Sequence, residues 1–346
     1  MAAVVSKNST NVRTHNGAGS ATASNDPGSG GNDPGSGGGS SRRRPRQRRL
    51  RFAVRAARAG FRVIGPYAPA LASTAAERLF LTARRHARPA WETHALAGAE
   101  RFTIPHDGQA LPAWRWGTGA NTVLLVHGWE GRGSQLAAFA EPLVRHGFSV
   151  VTFDVPGHGD APAGISSVVE HARAVASVGA YLGRLHAIVG HSVGGAAALF
   201  ATRLGLRVDR LALVAPPVSP QRFAAGFGKM LGLDADIQRG LVRRLERRYG
   251  LRMDDLDVRA DAAEFDGPLL VVHDRGDRVV PIDDGEVIAD AAGAGRLLET
   301  HGLGHQRVLR APEVLGAVIP FVAAGERAPE LATLIDSELF FRDSRR

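Results

Sequence analysis

Short apolar runs alternate with helix-like stretches along the chain from residue 99 onward. A hairpin is predicted first, with strands at 101–104 and 113–116. The runs that follow lack polar alternation, which is typical of strands buried on both faces of a parallel sheet. These six runs lie at 122–126, 149–153, 186–189, 211–215, 269–273 and 296–299.

The stretches between the runs have helical patterns. Ser134 is a candidate N-cap for a helix that ends at His146, and Gly147 follows that end. Strands that alternate with helices predict a doubly wound, mostly parallel α/β sheet of about eight strands, opened by an antiparallel hairpin. The remaining predicted helices occupy 165–182, 193–204, 283–292 and 312–323.

One connection is too long for a single crossover, because about 50 residues separate the runs ending at 215 and starting at 269. Residues 221–248 within it carry apolar residues interleaved with arginines. One interpretation is a pair of amphipathic helices that bury their apolar residues against each other. The other is a small helical cap, at about 216–266, that lines a substrate pocket with Phe227 and Met230.

Charge and composition divide the chain. Residues 1–62 hold twelve of the 43 Lys and Arg but only two of the 34 Asp and Glu, so the remainder is close to neutral. Charge therefore gives no reason to expect that the part of the chain beyond residue 62, the body of the protein, binds nucleic acid. The chain has no cysteine, which excludes a disulfide scaffold, a thiolate metal site and a cysteine nucleophile.

The basic segment itself allows several interpretations. Residues 1–49 are rich in Gly, Ser and Arg and are predicted to be a disordered tail. Residues 50–64 are predicted to be helical, with Arg51, Arg55, Arg58 and Arg62 on one side and an apolar strip opposite. The strip would pack on the body, or the helix would lie on an anionic lipid surface. An export signal is disfavoured, since no uninterrupted apolar run follows the arginines.

The strongest chemical signal is G-H-S-V-G at 190–194, which lies directly between a predicted strand and a predicted helix. A serine at such a turn is held with its hydroxyl above the sheet, which makes Ser192 a candidate nucleophile. The helix from Val193 points its amino terminus at the same centre. His191 is a candidate pocket residue.

An oxyanion hole needs two backbone amides. The candidates are the amide of Val193, directly after the serine, and that of Trp129, which follows His127 and Gly128 at the end of a predicted strand. The Trp129 ring can pack in the core while its amide faces the site.

An acid and a base should follow the serine along the chain. Asp274 and Asp277 both follow the run at 269–273, and either could be the acid. His305 lies in the Gly-rich loop after the last run, where it can return over the serine. His301 is the alternative base, but its place at the strand end favours a structural role.

At this point the sequence resembles the α/β-hydrolase superfamily, in its serine-nucleophile, esterase- or lipase-like branch. The resemblance runs from about residue 102 to 322, and its motifs occur in the family's order. It implies a nucleophile at Ser192, an acid at Asp277 and a base at His305. The motifs are LLVHGWEGRG, FDVPGHGD, VGHSVGG, VVHDRGDRVVP and GLGH.

Composition and the resemblance together divide the chain into a tail at 1–49, a helical lead-in at 50–98, an α/β-hydrolase domain at 99–325 with the cap insertion, and a C-terminal extension at 326–346. The tail and the lead-in fall outside the family's pattern. The resemblance implies a serine hydrolase of carboxylic esters or related acyl compounds, acting through an acyl-enzyme. The alternatives are an acyl transferase of the same fold and a non-catalytic binding protein. No metal or organic cofactor is expected.

The expected partner is a small acyl substrate, and the Arg-rich tail suggests a weak contact with an anionic surface. The expected location is the cytoplasm. The alternative hypothesis adds peripheral membrane association through the Arg-rich segment.

Overall fold

A computed structural model describes the backbone of residues 44–324 and the side chains of residues 52–324. The predicted tail, apart from its last six residues, and the whole of the predicted C-terminal extension lie outside the described residues.

Eight strands form one sheet in the order β1-β2-β4-β3-β5-β6-β7-β8. The first two pair antiparallel with each other, β2 pairs antiparallel with β4, and all the other pairs are parallel. The predicted fold class is therefore confirmed. The strands are β1 (Glu100–His106), β2 (Gln109–Trp116), β3 (Thr122–Val126), β4 (Ser149–Phe153), β5 (Leu185–His191), β6 (Val208–Val214), β7 (Leu269–Asp274) and β8 (Gly295–Thr300).

Helices cover both faces of this sheet. Their bounds are α1 (Arg44–Ile64), α2 (Pro69–Phe80), α3 (Ala90–Leu96), α4 (Ala140–Arg145), α5 (Val168–Leu182), α6 (Val193–Arg203), α7 (Gln221–Leu231), α8 (Ala235–Tyr249), α9 (Arg259–Glu264), α10 (Ile282–Ala291), α11 (Gly304–Arg307) and α12 (Pro312–Ala323). Alternate strand residues enter two separate cores. Leu124 and Ile188 pack with α5 and α6, whereas Val123 and Val189 pack with α4 and α12. This alternation explains why the strands read as unbroken apolar runs.

The sheet changes winding direction around β3. The chain runs from β3 to β4 on one side, and later places β5 on the other side of β3. The carboxyl ends of β3 and β5 therefore open a crevice at the point where ligands bind in this class of sheet.

Two local predictions were wrong. Ser134 does not cap a helix: it lies inside a 3₁₀ segment, Gly133–Phe139, where its buried hydroxyl donates to Glu92 Oε2 over 2.6 Å. A short α-helix, α4, begins only after that segment. The amino-terminal helix begins at Arg44 rather than at Leu50.

The predicted single apolar strip of α1 was also wrong. Phe61 is buried and Val54 packs against the same core, but Phe52 and Val63 are exposed. At 100° per residue, Val54 and Phe61 lie opposite Phe52 and Val63, so the apolar residues form two stripes rather than one.

The lead-in is joined to the sheet domain by polar contacts. The Arg85 guanidinium donates to the carbonyls of Gly157 and Ala161, and the Ser166 amide donates to Leu81 O over 2.8 Å. Arg88 Nη2 lies 3.0 Å from Asp160 Oδ2. None of the helices within residues 44–324 is both long and apolar enough to cross a bilayer.

Candidate active site

Ser192 lies at the turn between β5 and α6 in a conformation that side chains rarely adopt, with φ 53° and ψ −128°. The turn is tight enough to require glycine on both sides of the serine. A Cβ at Gly190 would lie 2.7 Å from the Cα of Gly195, and a Cβ at Gly194 would lie 2.4 Å from His127 O. The Ser192 amide is anchored by a 2.8 Å hydrogen bond to Val214 O on the next strand.

The turn after β3 lies against this serine. Val126, the last residue of β3, is in register with Gly190 of β5, so the two loops leave the sheet side by side. A Cβ at Gly128 would lie 2.9 Å from the Cβ of Ser192. The predicted His127-Gly128 motif is thus brought next to the predicted nucleophile by the parallel register.

His305 and Asp277 complete a hydrogen-bonded chain that ends on Ser192. His305 Nδ1 lies 2.7 Å from Asp277 Oδ2, and His305 Nε2 lies 3.1 Å from Ser192 Oγ. Because a carboxylate only accepts, Nδ1 carries the ring proton and Nε2 accepts from the serine hydroxyl. The structure therefore brings together the three side chains that the sequence singled out.

The surroundings of Asp277 favour its charged form. Its carboxylate is fully buried, which opposes ionisation, but hydrogen bonds from His305 and from the amides of Val279 and Val280 outweigh this effect and lower its pKa. A charged acceptor beside Nδ1 both fixes the orientation of the imidazole and stabilises its protonated form.

Asp274, the competing acid, points elsewhere. Its buried carboxylate accepts from the Gly276 amide, the Thr300 hydroxyl and the Leu303 amide, all within 3.0 Å. These bonds lower its pKa in spite of the opposing effect of burial. Asp274 thus ties the loop after β7 to the loop that carries His305, and His301, the alternative base, is exposed.

Both predicted oxyanion amides lie at this centre. Val193 is the first residue of α6, so no carbonyl of its own helix can accept from its amide. Trp129 lies in a turn closed by the Gly131 amide and Gly128 O, in which Glu130 has φ 56°. Trp129 and Val193 line the same cavity as Ser192.

Comparison with known proteins agrees with this arrangement. A sequence model described as the alpha/beta hydrolase fold matches residues 121–248, which include the serine turn and the turn after β3. The matched segment and the sheet order together show that the chain has the α/β-hydrolase fold. A search of curated protein sequences found no match.

Solved structures similar to this chain share its fold at low identity. A membrane phospholipase A, described as a bacterial virulence factor, is 21% identical with a TM-score of 0.51, and the match covers 80% of this chain and 98% of that one. A candidate lipase from Acinetobacter baumannii is 18% identical with a TM-score of 0.52, covering 68% and 97%. An esterase from Exiguobacterium antarcticum is 19% identical with a TM-score of 0.50, covering 64% and 99%.

His191 holds the loop that carries His305. Its buried ring lies 4.8 Å from the His305 ring, and its Nε2 lies 2.9 Å from the backbone oxygen of His305. Since a carbonyl only accepts, Nε2 carries the proton. Burial lowers the pKa of His191 to about 3, and the neighbouring His305 adds to this effect, so the ring stays neutral. His191 also lines the cavity, as the sequence suggested.

His191→Leu is expected to lower kcat about tenfold with little change in KM, because it removes one buried hydrogen bond that positions the base. His191→Gln restores an amide donor near the position of Nε2, and it should recover part of the loss. Steady-state kinetics on a chromogenic ester measure both values. Equal defects in the two variants would assign the effect to packing alone.

Three further histidines pack around Trp129 and were not recognised as a group from the sequence. The rings of His127, His158 and His171 lie within 5.8 Å of one another, and the Trp129 ring lies 5.2 Å from His158. Burial lowers the pKa of His127 to about 3 and of His158 to about 4, and it lowers the pKa of His171 well below its usual value. Their positions in three separate segments left no local signal.

A bidentate ion pair supports the Trp129 turn from the lead-in. Arg84 Nε and Nη2 lie 2.7 and 2.8 Å from the two carboxylate oxygens of Glu130. Glu130 is the neighbour of Trp129, so a residue 46 positions away in sequence braces the turn that carries a candidate oxyanion amide. This contact was missed because nothing in the sequence links Arg84 to the motif that contains Glu130.

An apolar cavity of about 1050 Å³ opens over Ser192 and His305. Phe227 and Met230 of α7 line it, as predicted for the cap. Helices α1 and α2 add a wall that the sequence did not predict, and the Phe80 ring of α2 meets the Phe227 ring edge-on at 5.2 Å. Within residues 44–324, no group of three His, Asp or Glu side chains is arranged to hold a metal ion.

Proposed function

We propose that this protein is a serine hydrolase that cleaves carboxylic esters with an apolar acyl chain, through an acyl-enzyme on Ser192. The observation that carries the proposal is the hydrogen-bonded chain from Asp277 through His305 to Ser192, placed at the floor of an apolar cavity. A buried acid, an imidazole and a strained serine have these positions in acyl transfer to serine.

In the proposed mechanism, Ser192 Oγ attacks the ester carbonyl while His305 Nε2 takes the hydroxyl proton. Asp277 stabilises the imidazolium that forms. The amides of Val193 and Trp129 donate to the tetrahedral oxyanion, each contributing about 3 kcal/mol to the transition state. His305 then gives its proton to the leaving alcohol, and a water activated by the same imidazole hydrolyses the acyl-enzyme.

The cavity favours an uncharged acyl chain. Much of its aromatic and aliphatic lining comes from the cap and the lead-in. The two arginines that line it are already paired, Arg84 with Glu130 and Arg222 with Asp284, and the Glu246 carboxylate accepts from the Met253 amide. Burying one methylene contributes about 0.8 kcal/mol, so each carbon of the chain should raise kcat/KM about fourfold until the cavity is filled.

A fluorophosphonate probe tests the nucleophile directly. The full-length protein should be labelled with one equivalent on Ser192, and Ser192→Ala should not be labelled. Ser219→Ala, which changes another serine that lines the cavity, serves as the control and should label normally. Absence of labelling in the folded protein would favour a non-catalytic binding protein. Added alcohol or thiol acceptors then separate hydrolysis from acyl transfer.

Phe227→Ala and Met230→Ala should each flatten the chain-length profile, because they remove apolar surface from the cavity while leaving the hydrogen-bonded chain intact. Rates for p-nitrophenyl esters of graded length measure the profile. Tyr181→Ala, an exposed aromatic residue at the end of α5, is the matched control. A profile that neither cap substitution changes would mean that the acyl chain binds elsewhere.

A further inference from the structure

The exposed face of α1 carries an apolar stripe that nothing in the described structure covers. Phe52 and Val63 are 73% and 67% exposed, and Ala56 and Ala59 between them are exposed as well. At 100° per residue these four positions fall within an arc of about 60°. Of the twelve large apolar residues that are exposed among residues 52–324, five lie between residues 52 and 71.

Arginines border this stripe. Arg55 and Arg62 are exposed on one side of it, about 60–80° from Phe52 around the helix axis. The sequence of α1 contains eight arginines and no acidic residue. An apolar stripe with a one-sided basic border matches a surface that offers both negative charge and hydrocarbon, and a phosphodiester backbone offers only the charge.

The opposite face of the same helix holds α1 in place and forms part of the cavity. Phe61 is buried, a Cβ at Gly65 would lie 2.8 Å from Ile237 Cδ1 of α8, and Val54 and Ala57 line the cavity over Ser192. The helix is thus fixed to the cap by one face and leaves the other free. Among the described residues, the stripe is not part of the hydrophobic core.

The carboxyl-terminal part of the chain starts far from this face. The last described turn of α12 places the Phe321 and Val322 carbonyls beside Arg210 and His186, at the amino ends of β6 and β5. The cap and α1 lie at the other ends of these strands, because α7 follows the carboxyl end of β6. The described end of α12 and the stripe therefore lie at opposite ends of these strands.

We propose that the outer face of α1, defined by Phe52, Ala56, Ala59 and Val63 with Arg55 and Arg62, docks on an anionic lipid bilayer. The apolar residues enter the interface between headgroups and acyl chains, and the arginines bind lipid phosphates. Docking by this face places the cavity wall formed by Val54 and Ala57 directly behind the bound surface. The proposal does not depend on the esterase activity.

The absence of native cysteine allows single-site probes on the full-length chain. An environment-sensitive fluorophore is attached at Phe52→Cys or at Val63→Cys. Its emission should shift to the blue and brighten several-fold when vesicles containing 30% phosphatidylglycerol are added. The emission of both labelled variants should respond weakly to vesicles of pure phosphatidylcholine. Leu204→Cys, an exposed apolar position after α6, is the matched control and should not respond.

Charge reversal provides the second arm. Arg55→Glu/Arg62→Glu should reduce partitioning to the anionic vesicles more than tenfold, whereas Arg145→Glu/Arg296→Glu, with the same change in net charge at exposed sites on α4 and β8, should reduce it far less. Binding without a probe response at 52 and 63 would assign the contact to the tail arginines and overturn the proposal. Probes that are already shielded without vesicles would show that protein covers the stripe, with the same consequence.

Discussion

Ser192→Ala and His305→Ala are each expected to lower kcat for ester hydrolysis by a factor on the order of 10⁶, because nucleophile and base act as one unit. Asp277→Asn should cost about 10⁴-fold, since asparagine donates to Nδ1 and leaves the proton on Nε2, facing the serine. All three side chains lie in the same hydrogen-bonded chain, so combining the substitutions should add little. Single-turnover kinetics with p-nitrophenyl esters measure these losses.

Asp274→Asn is the matched control, because it makes the same chemical change three residues earlier. Its carboxylate accepts from Gly276, Thr300 and Leu303 rather than from His305. An amide there faces backbone donors, which should lower the free energy of unfolding by about 1–3 kcal/mol and reduce activity far less than Asp277→Asn. A crippled Asp274→Asn beside a mild Asp277→Asn would reverse the assignment of the acid.

The protein should lose stability steeply as the pH falls below about 6.5. His127, His158, His171 and His191 are buried and neutral in the folded protein. Burial lowers the pKa to about 3 for His127 and His191 and to about 4 for His158, and it lowers the pKa of His171 well below its usual value. When the chain unfolds, each regains a pKa of about 6.5 and binds a proton. Acid therefore favours the unfolded state between these two values, and above pH 7 the effect vanishes.

Two carboxyls act in the opposite direction. Burial raises the pKa of Asp154 and of Asp261 to about 6, so they bind protons in the folded state first and offset part of the loss. The net slope should be on the order of 3 kcal/mol per pH unit between pH 6 and pH 4. Urea unfolding at a series of pH values measures it. Because glutamine cannot titrate, His171→Gln should reduce the slope by the contribution of about one proton. An unchanged slope would contradict the assignment of the pH dependence to the buried histidines.

The sequence predicted the fold and the positions of the hydrogen-bonded chain for the same physical reason. Strands buried on both faces must be almost wholly apolar, and a serine forced into a positive φ must have small neighbours such as Gly190 and Gly194. These constraints leave marks in short stretches of sequence. The choice between Asp274 and Asp277 left no such mark, because it depends on which carboxylate faces His305.

Contacts between distant segments were the part that sequence could not supply. The pairing of Arg84 with Glu130, the histidines around Trp129 and the cavity wall from α1 all join residues that lie far apart in the chain. The spacing of the apolar residues along α1 already contained the two stripes. The sequence prediction missed them because it assigned all of these residues to one strip. The predicted division of the chain into tail, lead-in, hydrolase domain and extension stays a prediction.

The cavity wall and the reacting groups come from different parts of the chain. This separation has a consequence for how the protein could change over evolutionary time. The groups proposed to perform the chemistry come from loops after β5, β7 and β8, whereas Val54, Ala57 and Phe80 come from helices that precede the first strand. Substitutions in those early helices would alter the range of accepted substrates without touching the reacting groups. Selectivity and reactivity can therefore drift independently, and the amino-terminal helices are the natural target for redesigning which esters enter.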